Sequence, residues 1–245
     1  AVEALTSTTL ELIGMGVKKI LLEKPGSTSI EELLALKSAA LKAESTVQIA
    51  YNRRHYASVR KLKGILSDQK ISSFDFEFTE WVDIIDSKDY SELTLKNWIK
   101  SNSAHVIDTV FFLVGGLPTQ LNTLTSGEGK VEWHYEASIF AGSGRVKDIL
   151  FTYNADWTSQ GRWKIYIKTE KGKYLLEPME KLGFIPKNSV NVEQIDIEFE
   201  TSKPGLTEQI INMDNGNYSE MCSLDHQILL FELIERMSGT KQRNE

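Results

Sequence analysis

Three short segments hold the side chains best suited to chemistry. In Ile20-Leu21-Leu22-Glu23-Lys24-Pro25 an apolar run ends in a charged pair and a proline. A buried parallel strand reads as such a run, and ligands of open α/β sheets gather beyond strand carboxyl ends. Glu23 and Lys24 are therefore expected at a crevice. Proline cannot continue a ladder and restrains the residue before it, and a cis Lys24-Pro25 bond is one way of fixing the turn. An amine held there can exchange a proton with a ligand; a solvated lysine at a surface strand end is the bland alternative. In Asn102-Ser103-Ala104-His105-Val106-Ile107-Asp108, His105 and Asp108 share one face of a helix. A carboxylate there can orient an imidazole suited to proton transfer near neutral pH; the alternative is a satisfied, half-buried histidine and an exposed aspartate. Asn52-Arg53-Arg54-His55-Tyr56 follows a second apolar run, so its arginines either grip a phosphate or carboxylate or lie solvated at a domain junction. Trp98, beside Leu93 and Leu95, is a core residue or a surface for a flat ring.

Other chemistries find less support. The four histidines lack paired ligand spacing and one cysteine cannot build a thiolate site, so no metal centre is expected. No G-x-S-x-G elbow marks a hydrolase. Gly14-Met15-Gly16 is followed by Lys19 where a third glycine would be needed, and it precedes a strand, whereas a phosphate loop follows one. With 41% hydrophobic and 25% charged residues, the 245-residue chain is an ordinary globular one, able to bury one large core or two modest ones. A net charge of -6 supplies no basic field for nucleic acid or an anionic membrane. Val110 to Leu117 is the longest apolar stretch, far short of the roughly 18 residues of a membrane span. The single Cys222, read as part of an amphipathic helix, leaves no intrachain disulfide, and a cytoplasmic location is expected.

The elements that position these residues follow from spacing. Residues 4 to 13 read as a helix, Val17 to Leu22 as a strand, and Ser29 with Glu32 as a capping box before a helix bearing Leu33, Leu36 and Ala40. Thr46 to Tyr51 reads as a second strand. This α/β pattern reads as the last part of a dinucleotide-binding domain, residues 1–52. Residues 53–245 read as an α+β domain with a large, mostly antiparallel sheet. Its signs are the alternation of Phe74, Phe76 and Phe78, a helical block from Leu95 to Val114, and strands at Val131 to Phe140, Val146 to Tyr153, Trp163 to Lys168 and Tyr174 to Leu176. Ile195, Ile197 and Phe199 alternate again, and Ile228 to Met237 closes the chain as a helix.

A strand ending EKP, a strand ending Asn-Arg-Arg, and a later helix holding His105 and Asp108 together resemble the glucose-fructose oxidoreductase, inositol dehydrogenase and MocA family. The resemblance covers the whole chain, from just before the fifth strand of that family's nucleotide-binding domain, and it makes residues 53–245 the substrate-binding and dimerisation domain. It implies NAD or NADP as cofactor, a small sugar or polyol as substrate, and hydride transfer with Lys24 and His105 as catalytic groups. It also implies that Glu23, Lys24, Pro25, Asn52, Arg53 and Trp98 line the cofactor, and that Lys24, Ser101, His105 and Asp108 meet substrate. Two departures stand out: Ser101 replaces an aspartate common four residues before the histidine, and the glycine-rich phosphate loop is missing. An N-terminally truncated chain, inactive alone and associating as a homo-oligomer through its antiparallel sheet, is one expectation. A non-catalytic binding or assembly module descended from the family is the other.

Overall fold

The computed structural model describes residues 2–198 and 203–239. A first helix, α1 (Leu5–Gly14), turns at Gly16 into strand β1 (Lys19–Leu22), and α2 (Ile30–Lys42) leads to β2 (Thr46–Ile49). β1 and β2 pair in parallel from Lys19↔Thr46 to Leu22↔Ile49. Ser29 caps α2 by accepting from the Glu32 N–H at 3.2 Å, as expected. The returning half of the capping box differs: the Glu32 carboxylate takes the N–H and hydroxyl of Thr28, not the N–H of Ser29.

The second sheet has eight strands. They are β3 (Ile71–Glu77), β4 (Gln120–Ser126), β5 (Ile139–Val146), β6 (Ile149–Asp156), β7 (Lys164–Thr169), β8 (Gly172–Leu176), β9 (Gly183–Pro186) and β10 (Glu193–Gln194). Their order is β10-β9-β8-β7-β3-β6-β5-β4, antiparallel throughout except for the parallel pair β3 and β6. One face is core. Phe74 and Phe76 of β3 meet Phe111 of α5 (Ala104–Val114) edge-on, at 6.0 and 5.8 Å between ring centroids. α3 (Ala57–Leu66) packs on α5 beneath the sheet. The opposite face carries the ion pairs Lys168–Asp75 and Lys164–Glu77 and is wet.

Several elements depart from expectation. The helical block is broken: α4 (Glu92–Lys96) is followed by a π-helical turn, Ile99–Ser103, before α5 begins. Val131 to Ser138 is a series of turns, and the strand starts only at Ile139. The alternation there serves an aromatic cluster instead, with Trp133 against Trp98 and Trp157, and His134 against Trp157 at 4.8 Å. Ile195 and Ile197 lie beyond β10 in extended chain without a ladder, and Phe199 is outside the described residues.

Cys222 is not helical: with Ser223 it forms β11, antiparallel to β2, and so completes a three-stranded sheet β1-β2-β11. The final helix, α7 (Leu224–Met237), then packs on α2 and on β4. The far end of the chain therefore closes onto its beginning.

Candidate active site

Lys24 occupies a tight turn at the end of β1. The Gly26 N–H donates to the Glu23 carbonyl at 2.9 Å, and the Lys24–Pro25 peptide between them is cis. Gly26 has φ +85, and a Cβ there would meet Ile49 Cδ1 at 2.8 Å, so both backbone and space call for glycine. From the other end of the sequence, the buried Gln227 of α7 donates to the Pro25 carbonyl at 2.8 Å and pins the turn.

Held this way, the half-buried Lys24 Nζ donates to the main-chain carbonyl of Ser101 in the π-helical turn. Its pKa is lowered to about 8, first by burial, which disfavours the ammonium, and then by the Arg53 guanidinium; Glu23 and Glu80 oppose the shift. Lys24, Trp98, Ser101 and Asn102 line a cleft of about 380 Å³, rimmed by Glu3 and Asp89 to Ser91. Two polar atoms of this wall, Trp98 Nε1 and Ser101 Oγ, are buried without a hydrogen-bond partner. Buried polar groups are normally satisfied, so such atoms mark a place for a ligand or water.

The π-helical turn is fixed by a residue that no local motif revealed. Glu80, just past β3 and buried, accepts from Ser103 Oγ at 2.6 Å, Asn102 Nδ2 at 3.0 Å and Trp163 Nε1 at 3.2 Å, with Arg162 at 3.5 Å. Burial raises its pKa against these four donors. The signal was its register, because position 80 continues the inward-facing series 74, 76 and 78. Lys100 adds a second tether, pairing with Glu235 of α7 at 2.8 Å.

His105 stands one helical turn beyond Ser101, its ring 5.7 Å from Tyr51 and 6.0 Å from Trp163. It is buried, and its Nδ1 has no hydrogen-bond partner. Burial, and then Arg53, Lys24 and Lys203, hold it well below the usual histidine pKa, so the imidazole is neutral. Lys24 and His105 thus lie within electrostatic reach of each other, although His105 is not among the residues lining the cleft.

Asp108 does not orient His105. It is fully buried and holds Arg54 in a two-pronged pair, Nε to Oδ2 at 2.7 Å and Nη2 to Oδ1 at 2.6 Å, with His226 Nε2 at 3.4 Å. Burial alone would raise its pKa, and the Arg54 guanidinium reverses this and keeps the carboxylate ionised. A three-residue shift along a helix shares a face only approximately, and here a closer partner from another element wins. Asp108, Cys222 and His226 do bring possible ligand atoms within 4.8 Å of one another, but Arg54 already occupies both carboxylate oxygens.

The remaining expected residues are spread around this centre. Asn52 is buried and spends its amide on the Pro204 carbonyl at 3.1 Å. Arg53 lies over Trp163 at 4.7 Å and Tyr56 at 5.8 Å. Glu23 is exposed beside Lys24, and Pro25 is buried under α7.

As a test of fit, the orphaned Trp98 Nε1 and Ser101 Oγ beside an amine suit the nicotinamide end of a dinucleotide. Among the described residues no glycine-rich turn follows a parallel strand to receive its pyrophosphate, since Gly14 and Gly16 end α1 and precede β1.

No family model matches the chain, and no curated protein matches it by sequence. Solved structures do. An aldose-aldose oxidoreductase from Caulobacter crescentus, complexed with glycerol, superposes with a TM-score of 0.80 at 12% identity, covering 100% of this chain and 76% of that one. An inositol dehydrogenase homolog from Azotobacter vinelandii, complexed with NADH and myo-inositol, gives 0.75 at 12% identity over 99% and 74%. A dehydrogenase from Clostridium difficile gives 0.76 at 12% identity over 98% and 77%. At these identities the likeness is one of fold: the chain has the architecture of about three quarters of these oxidoreductases, the fold that the sequence resemblance implied.

Proposed function

We propose that this protein is an NAD(P)-dependent oxidoreductase that oxidises a secondary alcohol carbon of a small sugar or polyol, with Lys24 and His105 handling the hydroxyl proton. The observation that carries this reading is the Lys24 amine, half-buried at a strand end on a cleft wall with unsatisfied polar atoms. With its pKa lowered to about 8, it interconverts between base and acid near neutral pH. Ser101 fixes the amine through its carbonyl, and the neutral His105 offers a hydrogen-bonding nitrogen for relay. When bound, the nicotinamide supplies the hydride acceptor. Trp98, Ser101 and Asn102 would hold its ring, with Asn52 toward the ribose side.

The wet face of the large sheet is the proposed homodimer surface, where residues of β3 to β7 frame a trough of about 360 Å³. Sedimentation at micromolar concentration should give about twice 27.7 kDa, and a monomer would remove that part.

The enzymatic reading is tested by following nicotinamide reduction with a panel of sugars and polyols, in the protein and its Lys24→Ala variant. The variant should keep its fold and lose turnover by at least about 10²-fold, the scale of an acid-base group; equal turnover would take Lys24 out of the chemistry. A second reading, a non-catalytic binding module, draws on Ser101 standing where a carboxylate is common. Sugar binding without any turnover in the unaltered protein would select it.

A further inference from the structure

Arg53 and Arg54 are neighbours in sequence and opposites in use. Arg54 spends its donors on both Asp108 oxygens and on the Met221 carbonyl at 2.5 Å. Arg53, half-buried with one face over Trp163, makes a single long hydrogen bond among the described residues, Nη1 to Asn52 Oδ1 at 3.4 Å. Among the described residues no carboxylate pairs with Arg53 or with Lys24 within 4.0 Å. The acids that act on Arg53 are Glu180, which is exposed, and Glu80, whose oxygens already serve Asn102, Ser103, Trp163 and Arg162.

The charged groups acting on His105 are Arg53, Lys24 and Lys203, all cations, and the His105 Nδ1 among them is buried without a partner. Lys203 is brought here by the loop whose Pro204 carbonyl binds Asn52 and whose Gly205, at φ +74, rests against the Asn52 carbonyl. A protein of net charge -6 has thus gathered three cations around one imidazole, and the acids that act on them make no ion pair with Arg53 or Lys24 among the described residues. A half-buried guanidinium without an ion pair is unfavourable unless a ligand supplies the anion. A planar guanidinium with its edge free matches a carboxylate in two-pronged fashion.

We propose that the substrate is a polyhydroxy acid, its carboxylate received by Arg53 with Lys203 alongside and its alcohol carbon presented to Lys24 and His105. This rests on the oxidoreductase reading above and narrows its substrate class. Neutral polyols would then occupy the site weakly, since they leave the cations unpaired.

The test is calorimetric binding of D-gluconate and of D-glucitol, its uncharged counterpart of equal chain length, to the full chain. Gluconate should bind about tenfold or more tightly, the scale of a charge-assisted hydrogen bond, and the preference should shrink in high salt. It should vanish in Arg53→Gln and fall part-way in Lys203→Gln, a substitution at an exposed position that leaves the fold intact. Equal affinity for the two ligands in the unaltered protein would overturn the acid while leaving the polyol site standing. A preference that survives in folded Arg53→Gln, or displacement of gluconate by inorganic phosphate at equal concentration, would also overturn it. Failure of the folded protein to bind either ligand would bring down the sugar reading itself.

Discussion

At the scale of residues, the site depends on how charge is distributed behind Lys24. The amine is pushed toward neutrality by burial and by Arg53, and Glu80 pulls the other way. Glu80→Gln should therefore lower the Lys24 pKa further below about 8, a shift read by NMR titration of the lysine side chain. An unchanged titration would make Glu80 a purely mechanical support for the π-helical turn. The buried pair beneath it is a different matter. Removing Arg54 strands the fully buried Asp108 carboxylate, so Arg54→Met should cost about 3–5 kcal/mol in denaturant unfolding. Pairing it with Asp108→Leu should restore much of that, because two apolar groups leave no charge behind. Lys24 and Pro25 were legible because a strand that ends in E-K-P announces itself locally. Glu80 and Gln227 were not, since each acquires its role through partners that only the folded chain brings near. Asp108 misled for the same reason, its partner Arg54 lying 54 positions earlier in the chain.

At the scale of elements, helices were read well because periodicity and capping are local, and strands less well because a ladder needs a partner. The Ser29 cap illustrates the first. Its hydroxyl takes the Glu32 N–H at the start of α2, and α2 supports the turn that carries Lys24 by burying Leu33 beneath Gly26. Ser29→Ala should lower stability by about 1 kcal/mol in urea unfolding, the ordinary worth of such a cap. No measurable loss would mean that the bonds from Thr28 to Glu32 suffice. Residues 131–138 illustrate the second: alternating aromatics satisfy a strand pattern, yet Trp133 and His134 find aromatic neighbours from a turn that joins no ladder. The π-helical turn at Ile99–Ser103 had no periodic signature at all, and it is the element that turns the Ser101 carbonyl toward Lys24.

At the scale of the whole molecule, the two sheets and their order along the chain followed from the change of hydrophobic period near Asn52, whereas the return of β11 to the first sheet did not. Two residues are too few for a pattern, and Cys222 lies beside a long amphipathic helix that masks them. Between the two sheets the chain buries histidines that the folded protein keeps neutral. Burial, and next Arg54, lowers His55 to about 4; burial and three cations hold His105 well below its ordinary 6.5. The unfolded chain takes up both protons near pH 6.5, so below that value it binds more protons than the folded state. Stability is therefore fully present above pH 6.5 and is lost as pH falls toward about 4. Each withheld proton gives a slope of about 1.4 kcal/mol per pH unit. Urea unfolding at pH 7.5, 6 and 5 should show this decline, and His105→Asn should flatten it by one proton's worth. Stability that stays level from pH 7.5 to 5 would mean that the folded protein protonates these imidazoles, and a charged His105 beside Lys24 and Arg53 would undo the electrostatic account of the site.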